Sequence, residues 1–400
     1  MPTEIELSII QTDPAVIAPI LKKFEAENHV HVRVTTSSWD NSWSQLVKVA
    51  LYGDGPDVSE IGSSWVSDLV SMQAILPFSN RELAVLGKAD EFFPASWAGG
   101  IPANQTRLFA FPWTTGVRVI YYRANLLEKA GIEVNQAFSS FSELENAIQT
   151  LYQNGIQYPW IVPTDPTHTT LLNVVSWVWA NGGNFMSSSG KSVMFDHPEA
   201  LEGFRQYFRL GRYMPPELHT LQGIASDDWF IEKNASAITI SGPWMLRQIR
   251  NRLVPEEAEK IQIALLPGPN FSGGSYLALW KHSLKRELAV KLIRYLTEKD
   301  PQRVYSQQIG LMPVRIDALK QPPYTTDAML QKMVEAQPVG RHFQVTRMWG
   351  LVEDRLTTTF ATLWKQIFEN PQKDSDQIVT ETLQALARRI NLTLDAQATI

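Results

Sequence analysis

Within its first 34 residues the chain changes hydrophobic period twice, and that alternation narrows the possible folds more than any other feature. In IELSII, residues Ile5, Leu7 and Ile9 alternate as in a half-buried strand. TDPAVIAPILKKFEAEN follows, with Asp13 placed to cap a helix, Pro14 at its first position, and Ile17, Leu21 and Phe24 on one stripe. Val30, Val32 and Val34 then alternate again. Strand, helix and strand within about 30 residues predict a right-handed parallel β-α-β unit.

The mixture persists along the chain. SFSELENAIQTLYQNG reads as a helix with a capping box from Ser142 to Glu145, a stripe of Leu144, Ile148 and Leu151, and a stop at Asn154-Gly155. KIQIALLPGP, with Ile261, Ile263 and Leu265, reads as a strand ending in Pro and Gly. SLKRELAVKLIRYLTEKDP is a helix with Leu288, Leu292 and Leu296 in line and Pro301 beyond its end. From about Thr346 to Leu392 the tail is helical, broken near ENPQKDSD. The class is α/β. Four hundred residues exceed one hydrophobic core, so two lobes are expected. With no repeat and no low-complexity linker, the chain is expected to cross between them more than once.

Several function classes drop out. A net charge of -5, with no dense Lys/Arg stripe, argues against nucleic acid as a partner. The absence of cysteine removes thiolate nucleophiles, disulfides and cysteine metal sites. No apolar stretch approaches the roughly 20 residues of a membrane span. The start, MPTEIELSIIQ, has neither the basic opening nor the apolar run of a signal peptide. Phosphate-loop, dinucleotide, H-E-x-x-H and G-x-S-x-G patterns are missing. His29 and His31 fall on one strand face without a third ligand near in sequence, and read as a solvated face; no metal or cofactor is expected. The pairs Asp227-Asp228 and Glu256-Glu257 are adjacent, so their side chains diverge and neither suits acid/base work across one bond.

What does recur is an aromatic at a turn. Trp65 follows Gly62-Ser63-Ser64 where a strand should give way to a helix, Trp113 follows Pro112, and Trp244 follows Ser241-Gly242-Pro243. Tyr276 follows the double glycine Gly273-Gly274, and Trp349 opens a helix. Taken singly, each could be packing its own loop; five at similar junctions point to ligand, because strand-end loops are where open α/β sheets bind. A flat ring suits the apolar C–H face of a sugar while polar neighbours bond its hydroxyl edge. Asp40, Ser64, Arg118, Ser275 and the backbone at Gly273-Gly274 are the edge partners.

From about residue 5 to 390 the chain resembles the extracellular solute-binding proteins of ABC sugar importers, the maltose-binding-protein-like group. The resemblance rests on GPDV…GSSW, PWTTGVRVIYYRANLLEKAGI, ANGGNFMSSSGKSVMFDHPEALEGFRQYFRL, AITISGPW, LPGPNFSGGSYLALW…ELAVKLIRYLTEKDPQRVYSQQIGLMPVR and the Trp349 helix. It implies a type II periplasmic-binding-protein fold, with residues 1–112 and 263–311 in one lobe and 113–262 and 312–400 in the other. Crossings would fall near Phe111–Thr115, Ile261–Leu265 and Leu311–Arg315, with sugar clamped between the lobes. Trp65, Trp113, Trp244 and Trp349 match positions where the family stacks rings on sugar. Gly274 and Ser275 match its double-glycine loop, and Arg118 an arginine after the first crossing. Two positions depart: Gly116 stands where the family often has an acid, and Asn234 where it has a glycine.

The resemblance further implies a non-enzymatic, monomeric, extracytoplasmic protein whose signal segment is not in this chain, delivering a mono- or oligosaccharide to a membrane permease. Two rivals are a non-sugar ligand on the same fold, a phosphorylated polyol or a peptide, and a carbohydrate-active enzyme using carboxylates such as Asp40 and Asp228. A phosphate site would need a basic cluster, for which Arg118 and Arg341 are the candidates.

Overall fold

The computed structural model describes residues 3–102, 105–223, 225–233, 235–338, 340–343, 346 and 348–398, without the side chains of Asp40, Gln397 and Ala398. Its strands in chain order are β1 (Thr3–Ile10), β2 (Val30–Ser37), β3 (Val58–Gly62), β4 (Ala110–Pro112), β5 (Thr114–Val117), β6 (Val119–Arg123), β7 (Tyr158–Ile161), β8 (Ser236–Ser241), β9 (Ile261–Ala264), β10 (Ser272–Gly273), β11 (Ser275–Leu279) and β12 (Met312–Pro313). Two compact units share them. Unit 1 comprises residues 1–116, 272–338 and 342–350; unit 2 comprises 117–271, 339–341 and 351–400.

Unit 1 is built on a five-stranded sheet in the order β2-β1-β3-β11-β4. The opening β-α-β unit is present: β1 pairs with β2 in parallel, Ile5 opposite Val32, and the helix Pro14–Asn28 connects them. Asp13 caps that helix by accepting from Ala15 N at 2.8 Å. Ile5, Leu7 and Ile9 pack with Ile17, Leu21 and Phe24, so the two sequence periods meet in one core. β11 runs antiparallel to β3 and β4. A small sheet, β10-β5-β12, completes the unit.

Unit 2 holds the sheet β7-β8-β6-β9. Its central helix, His168–Ala180, buries every residue from Thr170 to Trp179 except Leu172, which explains a sequence apolar on more than one face. The helix Pro198–Arg209 crosses it so closely that a Cβ on Gly203 would lie 2.6 Å from the carbonyl carbon of Trp177. The tail helices Trp349–Glu369 and Ser375–Ala398 are separated by the expected break, and Trp364 packs on Phe208 at 4.6 Å between ring centroids.

Some expectations are corrected. His29 is not on the strand: it ends the helix Pro14–Asn28 in the left-handed region, φ 53°. His31 alone is on β2, with Nδ1 2.9 Å from Glu25 Oε1. The helix predicted at Ser142 starts earlier, at Phe141, with Ser140 as the cap that accepts from Glu143 N. Pro301 does not follow a helix end; it lies in the first turn of a second helix, Lys299–Ile309, where its missing N–H costs nothing. Residues 312–338 pack with unit 1 and not with the second lobe. Met312 and Pro313 pair with Thr115 and Thr114, and Arg315 bonds Glu91 at 3.0 Å. Trp113 likewise belongs to unit 1, the chain leaving that unit after Gly116.

The close helix crossing is testable. Gly203→Ala forces a methyl group against backbone that cannot swing aside, and overpacking of this kind costs about 1–3 kcal/mol. A lower denaturation midpoint is expected; an unchanged midpoint would contradict the crossing.

Candidate functional site

In unit 2, β8 ends at Ser241, Gly242-Pro243 turn the chain, and Trp244 opens the helix Trp244–Arg252. The indole folds back over the turn: a Cβ on Gly242 would fall 1.9 Å from Trp244 Cζ3, so only glycine fits. Tyr121 steadies the turn by donating its hydroxyl to the Gly242 carbonyl at 2.9 Å. Trp244 Nε1 donates to Asp227 Oδ2 at 2.8 Å, and Ser241 Oγ donates to the same oxygen at 2.9 Å. The Arg118 guanidinium lies over the ring, its Cζ 4.8 Å from the centroid. Held at its edge and covered over its face, Trp244 remains only half-buried.

The charges beneath it are buried. Asp227 is 4% and Arg118 5% exposed. Burial pushes the Asp227 carboxyl up to about 6 although Trp244, Ser241 and Arg118 all favour its ionised form. Burial also lowers Arg118 to about 10, which leaves it cationic at neutral pH. Arg118 Nη1 is shut from solvent and meets no hydrogen-bond partner among the described residues. Adjacent Asp228 points elsewhere and pairs with Arg252 at the surface, which is the divergence expected of neighbours on a helix.

In unit 1 a second aromatic group surrounds Trp65. Trp39 and Trp43, one helical turn apart on the helix Trp39–Tyr52, place their rings 5.5 Å and 5.8 Å from that of Trp65. Trp65 is buried, while Trp39 and Trp43 are half-buried. Asp68, a turn after Trp65, accepts from Met348 N at 3.1 Å and Gly350 N at 2.8 Å, anchoring the segment that carries Trp349. Trp349 is buried and stacks on Phe343 at 4.5 Å.

The remaining expected residues divide. Gly274 O accepts from Ser63 N at 3.1 Å, and a Cβ on Gly274 would meet Thr114 O at 2.0 Å, so the double glycine serves a close backbone approach. Ser64 is half-buried in the turn before Trp65. Ser275 is buried, its carbonyl accepting from Trp113 N at 3.0 Å. Trp113 is an interior residue, wholly buried and stacked on Tyr305 at 4.4 Å with 9° between planes. Tyr276 is interior too, a residue of β11 whose hydroxyl donates to Ser96 O at 2.7 Å. Neither ring stands on a rim. Asp40 lies on the helix Trp39–Tyr52, its side chain outside the described residues, and Asn234 lies outside them altogether. Among the described residues no three His, Asp or Glu side chains gather as metal ligands, and no helix is long and apolar enough to cross a membrane.

Sequence reasoning missed Trp39, Trp43, Asp227 and Glu60. The tryptophan pair carried a signal, an i, i+4 spacing on a capped helix, but it does not lie beside a glycine or proline turn. Glu60 carried none: it sits on β3, 3% exposed, accepting from Ile10 N at 2.6 Å. Burial raises its carboxyl to about 7, against the pull of the Ser275 hydroxyl and the Ile10 N–H.

Comparison with known proteins adds the following. The model of the bacterial extracellular solute-binding protein family matches residues 20–332. A Brucella abortus protein named as a binding protein is 24% identical over 365 residues, covering 86% of this chain and 84% of that one. A solute-binding protein from Thermotoga lettingae, solved with bound α-D-tagatose, superposes with a TM-score of 0.83 at 22% identity, covering 98% and 100% of the two chains. The sugar-binding protein MalE of Xanthomonas citri gives a TM-score of 0.82 at 19% identity over 99% and 98%. At these identities the two solved structures speak for the fold.

Glu60 predicts a pH dependence. Between its ordinary value of 4.5 and about 7 the native protein holds a proton that the unfolded chain has released. This contribution to stability is full below 4.5 and is lost as pH rises through about 7. Glu60→Gln keeps an acceptor for Ile10 N–H and cannot ionise. Its melting temperature relative to the unsubstituted protein is therefore expected to rise from pH 5 to pH 8. A difference independent of pH would remove Glu60 as the cause.

Proposed function

We propose that this chain, which belongs to the bacterial extracellular solute-binding protein family, is the receptor of an ABC importer that captures a sugar or sugar alcohol outside the cytoplasm and hands it to a membrane permease. The observation that carries the reading is the Trp244 ring, half exposed at the head of a helix yet held by Asp227 and covered by Arg118. An indole needed only for packing would be expected inside. Although Arg118 covers one face and the Gly242 turn lies against the ring, part of the indole still reaches solvent, and that part suits the C–H face of a sugar while polar groups serve the hydroxyls. Unit 1 carries partly exposed rings of its own, Trp39 and Trp43. Trp65 packs against both of those rings. The tagatose-bound and sugar-binding relatives favour the same ligand class.

The rivals fit less well. A phosphorylated ligand needs uncompensated cations. Arg118 has Asp227 beside it, which leaves Arg341, over Trp179 at 4.8 Å and donating from Nη2 to the neutral Asn184 at 3.2 Å, as one cation and not the cluster such a site needs. A hydrolase would need two free carboxylates, and Asp228 is committed to Arg252. The protein acts by binding, without chemistry, as a monomer.

A thermal-shift panel of monosaccharides, oligosaccharides and sugar alcohols tests this. A ligand at a hundred times its Kd stabilises the folded state by about 2.7 kcal/mol, enough to move the melt. At least one sugar or sugar alcohol is expected to do so, and Trp244→Ala is expected to abolish that shift while the unliganded variant still folds. Shifts only with phosphorylated compounds or peptides would replace the sugar reading.

A further inference from the structure

One carboxylate in unit 2 does two jobs that the binding reading leaves unexplained. Asp227 lies on the helix Ala225–Glu232, 17 residues before the ring it holds, and is almost wholly buried. Its Oδ2 takes both the Trp244 Nε1–H and the Ser241 hydroxyl. Two donors on one oxygen define a direction, and through it the angle at which the indole leaves the turn. Glycine at 242 lets the ring lie flat against the backbone, but it does not choose the ring's rotation. Asp227 supplies that choice.

The second job is electrostatic. A buried guanidinium over the ring would make this wall cationic and favour an acidic ligand. Asp227 and Arg118 interact across the same indole, each favouring the charged form of the other. The pair sums to zero. A wall with a ring and no net charge matches a neutral polyol, which brings no charge of its own.

We propose that Asp227 is a positioning and specificity-determining residue, which fixes the Trp244 ring through Nε1 and cancels the charge of Arg118, so that the site takes neutral sugars and discriminates against uronic acids. This rests on the sugar-binding reading for its ligand class, but the positioning half does not need a ligand.

Two variants separate the jobs. Asp227→Ala removes acceptor and charge; Asp227→Asn removes the charge and keeps an acceptor. In unliganded protein carrying 5-fluorotryptophan, the Trp244 resonance is assigned by its loss in Trp244→Phe. That resonance is expected to shift or broaden in the Ala variant and to stay narrow in the Asn variant. A narrow, unmoved resonance in a folded Ala variant overturns the positioning role. Calorimetry then compares glucose, maltose, tagatose and ribitol with glucuronic acid. The Ala variant is expected to lose about tenfold or more in affinity for the best neutral ligand. The Asn variant should bind that ligand within about threefold of the unsubstituted protein and gain about tenfold for glucuronic acid relative to it. An unchanged preference in the Asn variant overturns the charge argument. If no neutral compound binds the unsubstituted protein, the sugar reading falls, and the fluorine spectra still decide whether Asp227 positions the ring.

Discussion

Unit 1 depends on a meeting of three segments that are remote in sequence. In the small sheet, Thr114 and Thr115 pair with Pro313 and Met312 on one side, and β10 borders β5 on the other. Thr115 Oγ1 and Ser272 Oγ both donate to Gln337 Oε1, at 3.3 Å and 2.7 Å, inside a buried polar knot. Gly274 lies against the Thr114 carbonyl with no room for a side chain. The chain leaves unit 1 after Gly116 and returns at Ser272, so both passages are flanked by this sheet. A strand of two residues has little stability alone. It is held by strand pairing to β5 and by the packing of this buried knot around it.

Because that frame absorbs Trp113 and Ser275, the ring surface that stays open comes from elsewhere. Trp113 lies between β4 and β5, where the chain continues extended, and its ring goes inward onto Tyr305. Trp244 instead begins a helix after a glycine turn, and a residue at that place is not obliged to face a core. The difference is one of backbone and not of residue type. An aromatic next to proline or glycine is therefore not a sufficient sign of an open ring, and Trp39 and Trp43 show that it is not a necessary one.

That distinction marks what was legible in the sequence. The β-α-β unit could be read because Ile5, Leu7 and Ile9 face Ile17, Leu21 and Phe24 within a short span, and local periodicity reports local packing. The tail helices and their break were readable for the same reason. The allocation of residues 312–338 was not, since it is decided by pairing with strand β5, about two hundred residues earlier in the chain, and that leaves no periodic trace. Asp227 and Asp228 look equivalent as letters. The rotation of about 100° between neighbours on a helix sends the first to Trp244 and the second to Arg252. Trp39 and Trp43 could have been found from their spacing, because i and i+4 share a helix face whatever the fold.

The two buried acids, Glu60 and Asp227, show how one cost can be met in different ways. Both are raised by burial, to about 7 and about 6. Asp227 has a cation within reach and two side-chain donors, so its charge has work to do in holding Trp244 and balancing Arg118. Glu60 accepts from Ile10 N and is influenced by Ser275, with no cation among the causes of its shift. A carboxyl so placed is most economical protonated, where it still accepts from Ile10 and carries no charge into the sheet. The asymmetry follows from position. An acid that holds an indole N–H and faces a buried cation gains from being ionised, whereas an acid in the middle of a sheet gains only from a hydrogen bond.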